Sequence, residues 1–205
     1  MTYYLDSVTE KSWRFLTELK RKYHFVLIGG CAVWLYTQQL KSKDIDIVID
    51  LPTLDALKSA YEIEKNHRLK KYQLRRGEVE VDIYVPFFSD PGVPSEQIID
   101  RAAMFNGFNL PTVEMLIMLK LAAWRQRRAS AKGRKDFLDI ISLLRLGKLQ
   151  PDRSRPGIMK DKMADVIKEF KQELLSTTEI PELGINRHQI SKHKDAWKAA
   201  LTSII

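Results

Sequence analysis

Two periods of apolar and polar positions run along this chain. Residues 7–22 place apolar side chains on one stripe at helical spacing, which predicts an opening helix. A short apolar run at 25–28 predicts a buried strand, and alternation over 44–49 predicts a second strand with isoleucines on one face. Alternating runs on both sides of Arg76-Gly77 predict a hairpin, because that pair suits a tight turn.

The segments around and beyond this hairpin are predicted to be mainly helical. A helix capped by Thr53 is expected to run to about residue 64. A serine-capped helix is expected at 95–104, followed by an extended piece at 108–112. Further helical patterns span about 112–129, 132–146, 159–175 and 188–203. We therefore expect an α+β fold, with a mixed β-sheet flanked by helices and followed by a helical C-terminal part.

Composition narrows the class of protein. A chain of 205 residues, 44% of them hydrophobic, can form one domain with a core, or such a domain with a small helical appendage. No apolar run approaches the ~20 residues of a membrane span, and residues 1–24 carry charges where an export signal needs apolar side chains. The single Cys31 excludes an intramolecular disulfide. We expect a cytoplasmic protein with no membrane partner.

The net charge of +8 favours polyanions as partners, with nucleic acid first among them. Between Lys120 and Arg155, eleven basic side chains face only three acidic ones. This basic stretch fits two interpretations. It is either a solvated helical surface or the contact region for a triphosphate or a partner the size of a tRNA.

The most informative segment is residues 25–50. Its apolar strand ends in Gly29-Gly30, and two glycines at a strand-to-helix turn let an oligophosphate approach the backbone at a helix N-terminus. The next strand opens with Asp44 and Asp46, whose side chains share one face because they are two residues apart. Carboxylate oxygens are the ligands that hard divalent metals prefer.

A third carboxylate, Asp82, lies on the second arm of the hairpin between apolar neighbours. Three acids converging on one sheet would repel one another unless cations neutralise them. Mg²⁺ meets that requirement, since it accepts a few carboxylates together with water and substrate phosphates. Together with the paired glycines, the three aspartates predict metal-assisted chemistry on a nucleoside triphosphate.

Lys120 lies on a helix that is apolar on nearly every side. A lysine in such surroundings loses hydration and needs an anion, or else gives up its proton. The candidate anions are the triphosphate of a substrate and an acid on the next helix, Asp136 or Asp139, in a structural ion pair. Both interpretations hold if the ion pair orients the lysine toward phosphate.

The residues between the glycines and the aspartates offer further candidates. Ser42 and Lys43 stand immediately before Asp44, and they either contact phosphate or only form the turn. Cys31 follows the glycines and is expected to pack as a small buried residue.

Three stretches carry a resemblance to a known family: IGGCAVWLY, then SKDIDIVID, then LPTVEMLIMLKLAAWRQR running into RKDFLDIISLL. Over residues 20–145 the chain resembles the polymerase-β-type nucleotidyltransferase superfamily. Within it, the chain is more closely similar to the AbiEii-like nucleotidyltransferase toxins of type IV toxin–antitoxin systems. The superfamily often has Gly-Ser where this chain has Gly29-Gly30, and the Gly-Gly variant occurs in that branch.

The resemblance implies a set of site residues. It implies that the three aspartates bind Mg²⁺, with two ions expected, and that Lys120 contacts the phosphates of the nucleotide. It also implies that an acid on the following helix belongs to the site; Asp136 is favoured, with Asp139 close behind. The residues expected to bind the nucleotide are Gly29, Gly30, Ser42, Lys43 and Asp139.

The order of these patterns also predicts a division of the chain, with a polar stretch at residues 150–157 as the likeliest internal boundary. A nucleotidyltransferase catalytic core is expected at residues 1–106, and a helical region at 107–205. Within the helical region, 107–147 is expected to complete the active site, and 158–205 to form terminal helices.

By the resemblance and the basic stretch, the preferred reaction is nucleotide transfer from a nucleoside triphosphate to an RNA 3′ end, above all that of tRNA, or to a protein hydroxyl. A cognate antitoxin protein is then a further partner. One alternative is a nucleotidyltransferase acting on a small molecule such as an aminoglycoside, although a polycation of that kind favours an acidic cleft. The other is a catalytically silent module that only binds nucleic acid or protein, which the presence of all three carboxylates disfavours.

Overall fold

The computed structural model describes residues 6–147, 149 and 157–204. The described chain divides into two compact units, one ending at Leu116 and the other beginning at Ile117. In chain order the first unit contains α1 (Asp6–Lys22), β1 (Val26–Ile28), α2 (Gly29–Thr37), β2 (Ile45–Val48), α3 (Leu51–Ala60), β3 (Ile63–Asn66), β4 (Lys71–Arg76), β5 (Val79–Tyr84), α4 (Ser95–Asp100), β6 (Ala103–Phe105) and β7 (Phe108–Leu110). The boundary falls within α5 (Val113–Arg127), and the second unit continues with α6 (Ala131–Leu144), α7 (Gly157–Ser176), a 3₁₀ turn (Pro181–Leu183) and α8 (Arg187–Ser203).

The seven strands form one mixed sheet in the order β3-β4-β5-β2-β1-β7-β6. The short strand β2 lies at its centre, antiparallel to β1 on one side and parallel to β5 on the other. The predicted α+β fold, with a mixed sheet, flanking helices and a helical C-terminal part, is confirmed.

Alternation along the central strands separates an apolar face of the sheet from a polar one. On the apolar face, Ile45, Ile47, Val81 and Ile83 are almost completely buried. Each such side chain stabilises the fold by about 1.5–3 kcal/mol relative to an exposed one. The aspartates alternate with these residues and so project from the opposite face. Apolar burial on one side therefore fixes which side presents the carboxylates.

The first difference from the predicted elements lies before the hairpin. The prediction that Thr53 caps α3 is wrong, because Asp50 is the N-cap and its carboxylate accepts a hydrogen bond from the amide of Thr53. The helix ends at Ala60, whereas the sequence pattern predicts helix to about residue 64. The strand β3 takes the place of the last turn, and it pairs antiparallel with β4. It lies at the edge of the sheet with largely exposed side chains, so it lacks the apolar alternation that marks a buried strand.

The second difference lies after the hairpin. The prediction of one helix over 95–104 is wrong, because α4 ends at Asp100 and Met104 lies in β6. Asn106 and Gly107 have φ of 47° and 78°, the left-handed values that a tight two-residue hairpin turn requires. That Asn-Gly pair is the local signal for the β6–β7 hairpin.

The sheet extends beyond residue 106, which is the predicted end of the catalytic core. β7 pairs in parallel with β1, at Val26 opposite Asn109, so residues just beyond 106 belong to the sheet. The compact sheet-containing unit continues to Leu116. Of the predicted internal boundary, residues 150–156 lie outside the described residues.

The second unit is helical and is organised around aromatic contacts. Trp124 and Phe137 both pack against Phe170, with ring centroids 5.1 and 5.3 Å from it. Their large buried surfaces stabilise the contact between α5, α6 and α7. Within the described part of the chain, no helix has both the length and the apolar character needed to cross a lipid bilayer.

A glycine permits the tight junction between α5 and α6. Ser130 caps α6 by accepting a hydrogen bond from the amide of Gly133. A Cβ on Gly133 would lie 2.2 Å from the carbonyl oxygen of Arg127, a backbone atom that cannot rotate away. The close approach of these two backbone segments therefore requires glycine.

We expect Gly133→Ala to destabilise the second unit by about 1–3 kcal/mol, because the added methyl group overlaps backbone. Helix propensity alone predicts that this substitution stabilises the protein, since alanine is favoured over glycine by about 1 kcal/mol in a helix. Urea-induced unfolding followed by circular dichroism distinguishes the two. Lys192→Ala, at an exposed position of α8, is the control and should change stability by less than about 0.5 kcal/mol. Stabilisation by Gly133→Ala would contradict the close approach.

Candidate active site

The turn between β1 and α2 brings a glycine against an aspartate. Ile28, the last residue of β1, pairs with Asp46 in β2, so the following Gly29 lies beside that side chain. Gly29 has a φ of 66°, and a Cβ on it would lie 2.1 Å from Oδ2 of Asp46. Glycine is therefore required here for two reasons: it tolerates the left-handed backbone, and it leaves space for the carboxylate.

The segment before β2 is held by two helices. Ser12 of α1 donates its hydroxyl to the carbonyl of Lys43 over 2.6 Å, and the thiol of Cys31 in α2 lies 3.4 Å from the carbonyl of Asp44. The hydroxyl of Ser42 also points back to the carbonyl of Asp44, at 3.3 Å. These contacts agree with the turn-forming interpretation of Ser42. Cys31 is buried, as expected.

The two predicted aspartates of this segment are both partly exposed, while Ile45 between them is fully buried. Asp46 lies within β2, and Asp44 precedes its first residue. The burial pattern agrees with carboxylates on the polar face of the sheet and an isoleucine on the apolar face.

The third predicted aspartate is opposite the second. Asp82 in β5 pairs in parallel register with Asp46 in β2, so their side chains project from the same face of adjacent strands. The structure therefore brings together Gly29, Asp46 and Asp82: the two aspartates are register partners on adjacent strands, and Gly29 directly follows β1.

Lys71 and Gln73, which no sequence motif marks, hold the third aspartate. Lys71 Nζ lies 2.5 Å from Oδ2 of Asp82, and Gln73 Nε2 donates to Oδ1 over 3.1 Å. Gln73 is directly opposite Asp82 in the β4–β5 ladder, and Lys71 is two residues away on the same face. Lys71 and Gln73 are two residues apart on the first arm of the hairpin, so they share a face. With the register of β4 and β5, this spacing would identify them as neighbours of Asp82.

The chemistry of the donor set fits a hard divalent cation such as Mg²⁺, because Asp44, Asp46 and Asp82 offer only carboxylate oxygens. Over the described ranges, however, no three His, Cys, Asp or Glu side chains are grouped closely enough to form a metal site. The carboxylate of Asp82 is bound by an ammonium and an amide group instead.

Three other predicted residues, Lys120, Asp136 and Asp139, form an ion-pair cluster within the helical unit. Lys120 Nζ lies 2.7 Å from Oδ2 of Asp139 and 3.1 Å from Oδ1 of Asp136. Arg127 binds Asp136 with two nitrogens, at 2.7 and 3.0 Å. All of these groups except Arg127 are buried. The contacts are those expected of the structural ion pair, and both candidate acids take part.

Opposing effects act on the ionisation of Asp136. Burial by itself raises the pKa of this carboxyl, but the nearby charges of Lys120 and Arg127 outweigh it and hold that pKa below its usual value. Asp136 is therefore held in its charged, carboxylate form by Lys120 and Arg127. Asp139 also lies 3.4 Å from Lys135, and its Oδ1 is buried without a hydrogen-bond partner among the described residues.

Six basic side chains of the basic stretch form ion pairs with carboxylates in the described part of the chain. Arg125 and Arg128 both bind Glu169, and Arg134 binds Glu182 through two nitrogens. Together with the cluster around Lys120, these pairs favour the interpretation of this stretch as a structural surface. Three members of the stretch, Lys148, Arg153 and Arg155, lie outside the described residues.

Comparison with known proteins bears on the fold. No protein-family model and no curated protein sequence matches this chain. The solved Megavirus polyadenylate synthase matches with a TM-score of 0.50 and 14% identity, over 83% of this chain and 39% of that protein. An antigenic nucleotidyltransferase-like protein from Paracoccidioides brasiliensis has a TM-score of 0.48 and 20% identity, over 88% of this chain and 94% of that one. JHP933 from Helicobacter pylori has a TM-score of 0.46 and 15% identity, over 96% and 90%.

At this level of identity, the likeness to the viral synthase concerns the fold alone. The chain has a nucleotidyltransferase-like fold, which is the fold that the sequence resemblance implies. Membership of the superfamily and of its AbiEii-like branch stays a prediction, as do the roles of the individual site residues.

We expect Gly29→Ala to displace the carboxylate of Asp46, because the new methyl group and Oδ2 cannot occupy the same space. Gly77→Ala is the matched control: its φ is 60°, but a Cβ there meets none of the described atoms within 4 Å. Both variants carry the backbone strain of about 1 kcal/mol. In thermal unfolding, Gly29→Ala should lose about 1–3 kcal/mol more than the control. Equal losses would show that Asp46 does not contact the turn.

We expect Asp136→Asn to destabilise the protein by about 3–5 kcal/mol at pH 7, because Lys120 and Arg127 lose a buried counter-charge. The folded-state pKa of Asp136 is depressed, so its stabilisation is present above the ordinary aspartate value and is lost as the pH falls through the lowered one. The difference between wild type and variant should therefore shrink below pH ~4. Urea unfolding at a series of pH values measures it, with the exposed Asp195→Asn as control. A difference that is constant with pH would contradict this assignment.

Proposed function

We propose that this protein is a metal-dependent nucleotidyltransferase, which transfers a nucleotide from a nucleoside triphosphate to a hydroxyl group of an RNA. The single observation that carries the proposal is the register of β2, which sets Asp46 beside the Gly29 turn and opposite Asp82. A phosphate-binding turn and acidic side chains on one sheet face are the parts that phosphoryl transfer needs. The nucleotidyltransferase-like fold supports it.

The turn at Gly29 supplies the triphosphate contact in this proposal. Helix α2 begins at Gly29, and its N-cap Ile28 makes no side-chain capping bond with the described residues. The first amide N–H groups of a helix lack intrahelical partners and carry partial positive charge, so they favour phosphate oxygens. The absence of side chains at Gly29 and Gly30 lets the phosphates approach them closely.

Asp44 and Asp46 are the residues that would hold Mg²⁺ on the polar face. When bound, the ion supplies positive charge to the triphosphate and to the oxygens of the transfer reaction. The sequence also predicts a second ion at Asp82, whose carboxylate is bound by Lys71 and Gln73.

The transfer step forms one bond and breaks one. The acceptor hydroxyl oxygen bonds to the α-phosphorus, and the bond from the α-phosphorus to the oxygen bridging it to the β-phosphate breaks, which releases pyrophosphate. Asp82 accepts a hydrogen bond from the attacking hydroxyl and takes its proton, which then passes to solvent. A carboxylate can do this while bound by Lys71 and Gln73, because its two oxygens offer about four lone-pair sites.

An RNA acceptor is supported by the charge distribution of the β3–β4 hairpin. Lys65, Arg68 and Lys70 are exposed there, and the chain contains no acidic residue from Lys65 to Arg76. Exposed basic groups attract the phosphate backbone of RNA. A tRNA 3′ end, a toxin role and a cognate antitoxin belong to the proposal through the resemblance alone. The contact of Lys120 with the phosphates stays a prediction.

We expect Asp46→Asn to reduce nucleotide transfer by about 10²–10³-fold, because it removes a charge from the group that would hold Mg²⁺. The assay incubates the protein with Mg²⁺, each labelled nucleoside triphosphate and total tRNA, and measures label in RNA. Glu80→Gln is the matched control, since Glu80 is an exposed carboxylate on β5 that pairs only with Arg75 among the described residues. Its activity should stay within about twofold of wild type.

The remaining outcomes of this assay decide between acceptors. Label in an aminoglycoside and not in RNA would establish the small-molecule alternative. Absence of transfer by the wild type to every acceptor would favour the binding module. Toxicity on expression that Asp46→Asn relieves and Glu80→Gln does not would support the toxin role.

A further inference from the structure

The third aspartate of the candidate site, Asp82, already has a positively charged partner, the ammonium group of Lys71. Lys71 Nζ and Oδ2 of Asp82 are 2.5 Å apart, and the two side chains are only 12% and 20% exposed. A charge pair this sheltered is screened less by solvent than a surface pair. Because both oxygens of Asp82 are bound, one by Lys71 and one by Gln73, a metal ion could coordinate this carboxylate only alongside or in place of these partners.

The sheet itself sets this arrangement. Gln73 is the register partner of Asp82, and Lys71 lies two residues before Gln73 on the same face of β4. Asn66 of β3 donates its side-chain amide to Oε1 of Gln73 over 3.1 Å, which orients the Gln73 amide nitrogen toward Asp82. A chain of hydrogen bonds therefore crosses three strands and ends on the carboxylate. Three strands in fixed register hold these partners of Asp82, so the ion pair is part of the fold of the sheet.

A second divalent ion at Asp82 would meet the ammonium of Lys71 at close range. Two cations on one carboxylate repel each other, and their repulsion is strong in a partly buried site. The fold contributes the lysine without any cost of binding, whereas a metal ion must lose hydration to enter. Lys71 is therefore favoured over a second metal ion as the positively charged partner of Asp82.

We propose that Lys71 supplies the positive charge at Asp82 that a second metal ion would supply, so that the site takes one divalent cation, at Asp44 and Asp46. Lys71 is thus a positioning residue: it holds Asp82 in place as the acceptor of the hydroxyl hydrogen bond. This inference rests on the proposed function.

The experiment counts the Mn²⁺ ions bound in the complex with α,β-methylene-ATP. This analogue lacks the bond that breaks in the transfer, so the complex does not react. Electron paramagnetic resonance of unbound Mn²⁺ gives the number per protein. Wild type should bind one ion in this complex. Lys71→Met should bind two, because Asp82 loses its ammonium partner and becomes available to metal. Lys71→Arg, which keeps the charge, should bind one.

Two further variants separate the charge at Asp82 from general effects. The double variant Lys71→Met with Asp82→Asn should return to one ion, because the ligand for the second ion is gone. Lys192→Met, an exposed lysine of α8, should bind one ion like wild type. Circular dichroism melting of each variant confirms that the counted protein is folded.

Two ions in the wild-type complex would overturn the inference and leave the proposed function intact. One ion in folded Lys71→Met would also overturn it, because the lysine would then not be what excludes the second ion. Failure of wild type to bind both Mn²⁺ and the analogue would overturn the proposed function itself.

Discussion

The candidate active site depends on the position of β2 between β1 and β5. Its register with β1 sets Asp46 beside the turn at Gly29, and its register with β5 sets Asp46 opposite Asp82. A slip of one residue would turn the isoleucines to the polar face and the aspartates into the core, so burial of Ile45 and Ile47 fixes the register. The geometry of the carboxylates is therefore a consequence of apolar packing on the other face of the sheet.

In each unit, one aspartate is compensated by basic or amide groups of the same unit. In the sheet, Asp82 is bound by Lys71 and Gln73; in the helical unit, Asp136 is bound by Lys120 and by an arginine. Burial makes an unpaired charge costly, so each cluster carries its own counter-charge. A polar ligand that binds at either cluster has to exchange with, or add to, hydrogen bonds that already exist.

The sequence predicts the elements around the site well, because their signals are local. The apolar run before Gly29-Gly30, the alternation around Asp46 and the turn at Arg76-Gly77 each lie within a few residues, and β1, β2 and the β4–β5 hairpin are confirmed. The two edge strands β3 and β6 are not predicted. Both are short and exposed, and their identity depends on a neighbouring strand to pair with.

By itself, therefore, the sequence determined the fold class, the glycine turn and the residues able to carry acid or base chemistry. Only the tertiary structure decided which of them meet. Lys71 and Asp82 contact each other because β4 and β5 pair in one register, and the Cβ position of Gly29 coincides with the carboxylate of Asp46 because β1 and β2 pair in another. The alternation of a sequence shows which face of a strand a side chain occupies. Strand order and register, however, depend on the packing of the whole sheet, and they determine which residue of the neighbouring strand that side chain contacts.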